Sequence, residues 1–434
     1  MTHKKIHEIR DPIHIFIHMN SNEREVLNST PVQRLRYIHQ LALTYQVYPG
    51  STHRRFEHSL GVMELATRIF DTVMLNLSRS PLDFEFDIGS EFDHEYWRRT
   101  LRMAALVHDI GHSPFSHASE DLFPDGWNHE KMTLELIESP EMDTLWKRLK
   151  ILSEDVAKLA VGPKYYEKSL MKDHETIFSE IITGDAFGAD RMDYLLRDTY
   201  HAGAAYGKFD HYRLIETLRI LPKRYDDSDE PALGVETGGI QSAEALLLAQ
   251  YFMFSQLYFH PIRRIYDIHL KDFLKIWLKD GYFPKDADGH IRLTDNEVVS
   301  AMYEAMRDAK NPAHEQACRI IKRKHFKVLY SRNPDDVSIN RSAGECIYKA
   351  ACDQFGEENV RHDIPKVSGS SVEFPVLEND NRVVSSLRKS ETLQRLPEIA
   401  LETVYIHPEK YYEAVTWLEK EREQIIELVI EEDV

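Results

Sequence analysis

The chain has 434 residues, 42% of them hydrophobic and 29% charged, a globular balance that excludes a wholly disordered chain. Lys and Arg number 54 against 72 Asp and Glu, for a formal charge of −18, a poor match to the basic footprint of a polynucleotide binder. Three cysteines suit a reducing cytoplasm rather than a disulfide framework, no apolar run is long enough to span a bilayer, and no signal peptide is visible in MTHKKIHEIRDP.

Helical periodicity dominates to residue 325. Pro31–Leu43 (PVQRLRYIHQLAL) sets Val32, Leu35, Ile38 and Leu41/Ala42 at helical spacing, and His58–Leu77 and Tyr96–Ile110 are further amphipathic stretches. Between the last two, SRSPLDFEFDIGSEFDHE is acidic and contains Pro and Gly, which predicts a surface loop. Helices are also predicted at 128–138, 143–160, 174–200 and 241–280. A hairpin is predicted near 220–239, where RYDDSDEPALG separates short apolar runs. After His325 the texture changes. FKVLYS, VRHDI, SVEFPVL and ETVYIHP cluster β-formers, and helices are predicted at 341–355 and 408–430. The pattern is a mainly α body over 1–325 and a smaller α+β region over 326–434, with no internal repeat.

The 22 histidines stand out, because imidazole ligates metals and shuttles protons near neutral pH. His-Asp occurs twice, about as often as chance allows, so context must separate the two. His362-Asp363 sits in VRHDIP, followed by Pro365, and reads as a strand-to-turn surface feature. His108-Asp109 ends the apolar helix MAALVHDIGH and is followed by His112, His117 and His129-Glu130. Singly, each of these histidines reads as a cap or a hydrogen-bonded core residue. As a group they point elsewhere, since a buried His-Asp pair has a desolvation cost that a bound cation offsets. Both residues can reach one ion at a helix end, and two further ligands must come from elsewhere in the chain. The candidates are His58, which opens a helix behind Arg54 and Arg55, and Asp190, which shares one helix face with Tyr194 and Asp198 at i, i+4, i+8. Two histidines and two carboxylates suit manganese, iron, zinc or magnesium. Spacing alone does not bring the four together.

The ordered stretches QRLRYIHQLALTYQVYPGSTHRRFEHSLGV, HDIGHSPFSH, NHE and DRMDYLLRD resemble the HD-domain phosphohydrolases. The branch resembled is that of the deoxynucleoside triphosphate triphosphohydrolases, which includes the sterile-alpha-motif and HD-domain dNTP hydrolases and bacterial relatives. The resemblance runs from Ile6 to Asp272 and more weakly from Phe326 onward. DPIHIFI is similar to that family's opening segment, with Ile15 at a usual glycine. It implies an HD-domain helical bundle in which His58, His108, Asp109 and Asp190 hold a divalent metal ion (Mn, Fe, Mg or Zn) that activates water and neutralises phosphate charge. It also implies that His117 protonates the departing sugar 5′-oxygen and that Glu120 orients it. His112 and His129 would contact phosphates or relay protons, with Glu130 supporting His129. Arg55 would grip phosphate, and Arg191 stands where relatives often have a lysine. Tyr194 and Asp198 match deoxyribose contacts, Gln40 and Leu41 further sugar contacts, and Tyr266 a tyrosine near the base or phosphates. A core aromatic competes as the reading of Tyr194, and for Leu41 a core role is the better one. The reaction implied is attack of water on the α-phosphorus, releasing deoxynucleoside and tripolyphosphate with no covalent intermediate.

Two departures matter. Relatives commonly carry an arginine for the distal phosphates on the helix matching YFMFSQLYFHPIRRIYD; here none falls in 251–262, and the nearest are Arg263 and Arg264. Asp267, beside Tyr266, would repel a triphosphate if it faced the site. Ahead of QRLR, Asn28 and Ser29 stand where nucleotide-activated relatives have an Asp, while Gln33 and Arg36 remain. The leading reading is a cytoplasmic dNTP triphosphohydrolase acting as a homo-oligomer (dimer or tetramer), with nucleotide activation open and no membrane or long nucleic acid as partner. The alternative keeps the metal and changes the substrate to nucleoside monophosphates, cyclic nucleotides or nucleic-acid ends. A non-catalytic nucleotide sensor is the third reading, although a sensor need not keep an acid such as His117.

Overall fold

The computed structural model describes residues 6–84, 86–167, 170–223, 229–365, 373–397 and 399–427. The chain groups into two compact units: Met1–Met253 with Tyr282–Glu297 and Gly369–Pro397, and Phe254–Gly281 with Val298–Ser368 and Glu398–Val434. A single cut at residue 325 does not separate them, because helices on both sides of the cut share the second unit.

The first unit opens with an antiparallel hairpin of β1 (Ile6–Asp11) and β2 (Ile15–Asn20). Its centre is α1 (Arg55–Leu77), buried along most of its length and packed against α2 (Glu91–Val107). Around this pair lie α3 (His129–Ile137), α4 (Ser153–Val161), α5 (Asp173–Thr183) and α6 (Ala189–Ala202). Close approach of α1 and α6 depends on Gly61, where an added Cβ would stand 1.9 Å from Asp193 Oδ1. β3 (Leu218–Pro222) and β4 (Pro231–Glu236) pair antiparallel. Strand Pro375–Leu377 runs parallel to β4, and Val383–Ser385 completes a four-stranded sheet.

In the second unit, helix Pro261–Trp277 packs on His314–Ile321. A three-stranded antiparallel sheet places Thr403–Ile406 between Lys327–Ser331 and Val360–Asp363. Helices Ala343–Phe355 and Tyr411–Glu427 close a core of Ile347, Phe355, Val404 and Leu418. The fold is thus mainly α with an α+β C-terminal region, and no helix among the described residues is long and apolar enough to cross a membrane.

Several predicted helices are broken. Pro31–Leu43 is helical only over Thr30–Arg34 and a short tight turn, Leu35–Tyr37, after which Ile38 is extended and Ala42 has φ +46°. The helix stops because its next amides find other acceptors: His39 N donates to Asp295 Oδ2 and Gln40 N to the His53 carbonyl. The span 143–160 divides at Lys150, which is left-handed at φ +58°. The span 174–200 divides at the Gly184–Gly188 segment, and 241–280 ahead of Pro261, which opens the next helix. Residues 428–430 of the last predicted helix, and 371–372 of SVEFPVL, lie outside the described residues.

Candidate metal centre and histidine cluster

Three helix ends of the first unit meet. The first turn of α1 supplies His58, the C-terminal end of α2 supplies His108 and Asp109, and the first turn of α6 supplies Asp190. One donor atom from each of His58, His108 and Asp190 lies within 4.8 Å of the others. His58 Nε2 stands 2.9 Å from Asp190 Oδ1, and Asp109 joins them at 3.7 Å from His58 Nε2 and 3.3 Å from His108 Nε2. His108 Nδ1 donates to the Ala105 carbonyl at 2.8 Å. Its Nε2 is buried without a hydrogen-bond partner, 3.7 Å from Asp190 Oδ1. A buried, unsatisfied imidazole nitrogen beside two carboxylates is what a divalent cation would satisfy, and the donor set fits one.

Electrostatics agree with that fit. Burial pulls the His58 imidazole down, but hydrogen bonds to Asp190 and Asp193 and their charges outweigh it and push its pKa up to about 10. Burial opposes ionisation of Asp109, yet Arg55, His108 and His112 hold its pKa well below the usual carboxylate range. The carboxylates that raise the His58 pKa are those that would attract a divalent cation.

Behind this group lies a second layer. Asp193 bonds His58 Nδ1 at 2.8 Å, and also His14 Nε2 at 2.8 Å and Arg197 Nε at 2.8 Å; Arg197 reaches on to Asp11 at 2.8 Å. All five groups are buried. With its Nδ1–H given to Asp193, His58 presents Nε2 to the site, the carboxylate–histidine arrangement that orients a metal ligand.

The second cluster adjoins the first through Asp109, whose Oδ1 is 3.2 Å from His112 Nε2. His112 stacks on His129 with ring centroids 4.0 Å apart, and His117 stands edge-on to His112 at 4.8 Å. Glu120 joins the set, 3.0 Å from His117 Nδ1 and in a short hydrogen bond with His129 Nδ1; Glu130 is 3.3 Å from His129. The loop can pass this close to α3 because position 111 is glycine, where a Cβ would lie 2.2 Å from the His129 carbonyl oxygen. Burial, Arg55 and His129 drive the His112 pKa well down, so it stays neutral. Burial also disfavours the protonated form of His129, but Glu120 and Glu130 raise its pKa. The pKa values of two stacked imidazoles are thereby pushed in opposite directions.

The remaining predicted residues are placed unevenly. Arg55 is buried and already engaged, donating from Nε to Ser116 Oγ at 2.6 Å and from Nη1 to Asp109. Arg191 and Tyr194 follow Asp190 on α6, and Arg191 Nε and Nη1 are buried without hydrogen-bond partners. Asp198, on the same helix, is buried with His53 at 2.6 Å. Leu41 is buried, and Gln40 carries a buried Oε1 without a hydrogen-bond partner. Tyr266 belongs to the second unit, fully buried against His325 at 5.0 Å. In that unit Arg264 is held by Asp363 at 2.6 and 2.8 Å, while Arg263 donates to the Tyr258 carbonyl and lies 3.5 Å from Asp267.

Comparison with known proteins bears on this arrangement. Residues 55–162 match the HD domain family and 209–405 the HD associated region. The YwfO protein of Bacillus subtilis is 30% identical over 75% of this chain and 72% of its own. The chain belongs to the HD-domain phosphohydrolase superfamily. A crystal structure of a hypothetical protein from Aquifex aeolicus shares 33% identity and a TM-score of 0.77, covering 95% of this chain and all of that one. The deoxynucleoside triphosphate triphosphohydrolase SAMHD1 of Gallus gallus is 27% identical over 76% of this chain and 56% of its own length. Several curated relatives are about twice as long as the stretch this chain matches.

HD domains bind divalent metal ions, and this HD-domain chain has the His/Asp cluster to hold one. Sequence reasoning missed its supporting layer: Asp193, His14, Asp11, Arg197 and, beside Asp198, His53. One signal was available, since Asp193 and Arg197 are an i, i+4 acid–base pair on α6, beside the face that carries Asp190. The links to Asp11 and His14 span 186 and 179 residues, and no local pattern reports them.

Proposed function

We propose that the protein is a metal-dependent hydrolase of deoxynucleoside triphosphates, cleaving at the α-phosphorus to deoxynucleoside and tripolyphosphate. The observation that carries this reading is the junction at Asp109 of two groups: a buried donor set with an unsatisfied His108 Nε2, and the packed His112, His117 and His129 rings, two of them held by Glu120. A cation held by His58, His108, Asp109 and Asp190 would supply Lewis acidity and charge neutralisation for an attacking water.

The chain's own groups account for the rest. His117, with side-chain exposure of 64%, is the open member of its cluster. With Nδ1 fixed on Glu120, its Nε2 is free to give a proton to the departing 5′-oxygen. Burial works against ionisation of Glu120, but His117 and His129 hold its pKa far below the usual range, so it remains an acceptor that orients both rings. His129, whose pKa Glu120 and Glu130 raise, would offset phosphate charge beside His112. Arg191, whose Nε and Nη1 are buried without hydrogen-bond partners and whose Nη2 lies 3.5 Å from Asp185, would add positive charge beside Asp190. Tyr194 and Asp198 would read the deoxyribose, and the enzyme would work in the cytoplasm as a homo-oligomer.

The test is phosphorus NMR of the protein with manganese and an equimolar mixture of the four dNTPs, with and without GTP. Intact tripolyphosphate supports the reading. Surviving dNTPs would remove it and favour the alternative of mononucleotides, cyclic nucleotides or nucleic-acid ends, for which the commitment of Arg263 and Arg264 within the second unit already speaks.

A further inference from the structure

The loop between His112 and His117 is bent in an unusual way. Phe115 and Ser116 are consecutive non-glycine residues in the left-handed region, at φ +59° and +54°. Neither has the freedom of glycine, so the bend must be held by its surroundings. The holder comes from 180 residues away, as Phe115 N donates to Asp295 Oδ1 at 2.8 Å. The other oxygen of that carboxylate, Oδ2, bonds His39 N at 2.7 Å and His39 Nδ1 at 2.6 Å. Ser116 Oγ closes the circuit, donating to the His39 carbonyl at 3.3 Å while accepting from Arg55 Nε.

The same distant segment grips the loop's other end. Arg34 donates from Nη1 to the His112 carbonyl at 2.8 Å, and from Nε and Nη2 to the Leu293 carbonyl at 3.0 and 2.7 Å. Both ends of His112–Ser116 are thus tied to Leu293–Asp295, and His117 leaves the bend directly after its second left-handed residue. Asp295 itself is 1% exposed and too far along this chain of contacts to touch a substrate.

We infer that Asp295 is a positioning residue for His117: its carboxylate fixes the Phe115–Ser116 bend and so sets where the His117 ring stands beside Glu120. The kinetic part of this inference rests on the proposed role of His117 as proton donor. The placement itself does not.

Asp295→Asn, which keeps the volume and one acceptor but presents an amide to the His39 donors, is the variant of choice; Asp295→Ala is the harsher companion. Amide exchange and histidine-ring NMR on the metal-loaded full chain report placement without any turnover. The expected result is lost protection of the Phe115 amide in Asp295→Ala, where its acceptor is gone, and reduced protection in Asp295→Asn, with a shifted His117 ring signal and metal content unchanged in both. In turnover, kcat should fall about 10- to 100-fold with KM nearly unchanged. In a His117→Ala background, Asp295→Asn should cost less than about twofold, because the group it positions is gone. Unchanged Phe115 exchange and His117 signals overturn the inference, as does an equal kcat loss in both backgrounds or loss of metal with Asp295→Asn. Full activity of His117→Ala would sink the proton-donor reading alone, leaving the NMR comparison to decide Asp295.

Discussion

His108-Asp109 and His362-Asp363 are the same two residues in the same order, and their surroundings make them different objects. The first pair ends a buried helix, among His58, Asp190 and His112, with a ring nitrogen left unsatisfied. The second lies on strand Val360–Asp363, where His362 Nε2 meets Glu402 at 2.8 Å and Asp363 takes both prongs of Arg264. Nor is it the surface feature its sequence suggests, because Asp363 is buried, and the guanidinium it needs comes from helix Pro261–Trp277 rather than from its neighbours in the chain. The first pair keeps a buried ring nitrogen without a partner beside two carboxylates, while the second has its ring Nε2 and its carboxylate already engaged.

The largest expected effect follows from removing a carboxylate of the first pair's donor set. Asp190→Ala should abolish metal retention and reduce turnover on the order of 10³-fold or more, because charge neutralisation and water activation go together; metal analysis beside a turnover assay checks both, and full activity of a metal-depleted sample would end the mechanism. Next is His117→Ala, expected to slow turnover roughly 10²- to 10⁴-fold with metal still bound. Loss of metal there would move His117 from the second group to the first. Asp193→Asn should weaken metal affinity about 10- to 100-fold by releasing His58 Nδ1.

The pH dependence of the metal site has a definite sign. The His58 pKa is raised from 6.5 to about 10 in the metal-free fold. Its protonated form therefore adds stability fully below about pH 6.5, and that stability is lost as pH rises towards 10. Metal must displace this proton, so apparent affinity should climb with pH, by up to about tenfold per unit, with proton release on binding. Titration calorimetry in buffers of different ionisation enthalpy measures both, and a pH-independent affinity without proton release would contradict it.

These contrasts also show what the sequence made legible. The α1 and α2 helices and the α+β texture after His325 could be read because each buries an apolar face with its own period. Pro31–Leu43 could not, since its apolar spacing is helical but its amides are claimed by Asp295 and the His53 carbonyl. Resemblance singled out His58, His108, Asp109 and Asp190, and the structure gathers them at three helix ends. Asp193 had only its i, i+4 pairing with Arg197 to mark it, and Asp295 escaped notice because a buried carboxylate serving a histidine 256 residues away has no pattern in its own neighbourhood.

The smallest effect is expected from the second pair, and it separates stability from chemistry. Asp363→Asn removes the charge that Arg264 faces and leaves a largely buried guanidinium with weaker acceptors. An arginine guanidinium stays protonated in proteins, so Arg264 cannot escape the loss by deprotonating. A charge-assisted hydrogen bond of this kind is worth about 1.5–3 kcal/mol, which urea denaturation should show as a lowered midpoint. Metal content and turnover per folded molecule should stay at wild-type levels. A fall in metal content would mean that the two His-Asp pairs are coupled, and the contrast between them would fail; a stability loss with intact metal would place the second pair wholly in the scaffold.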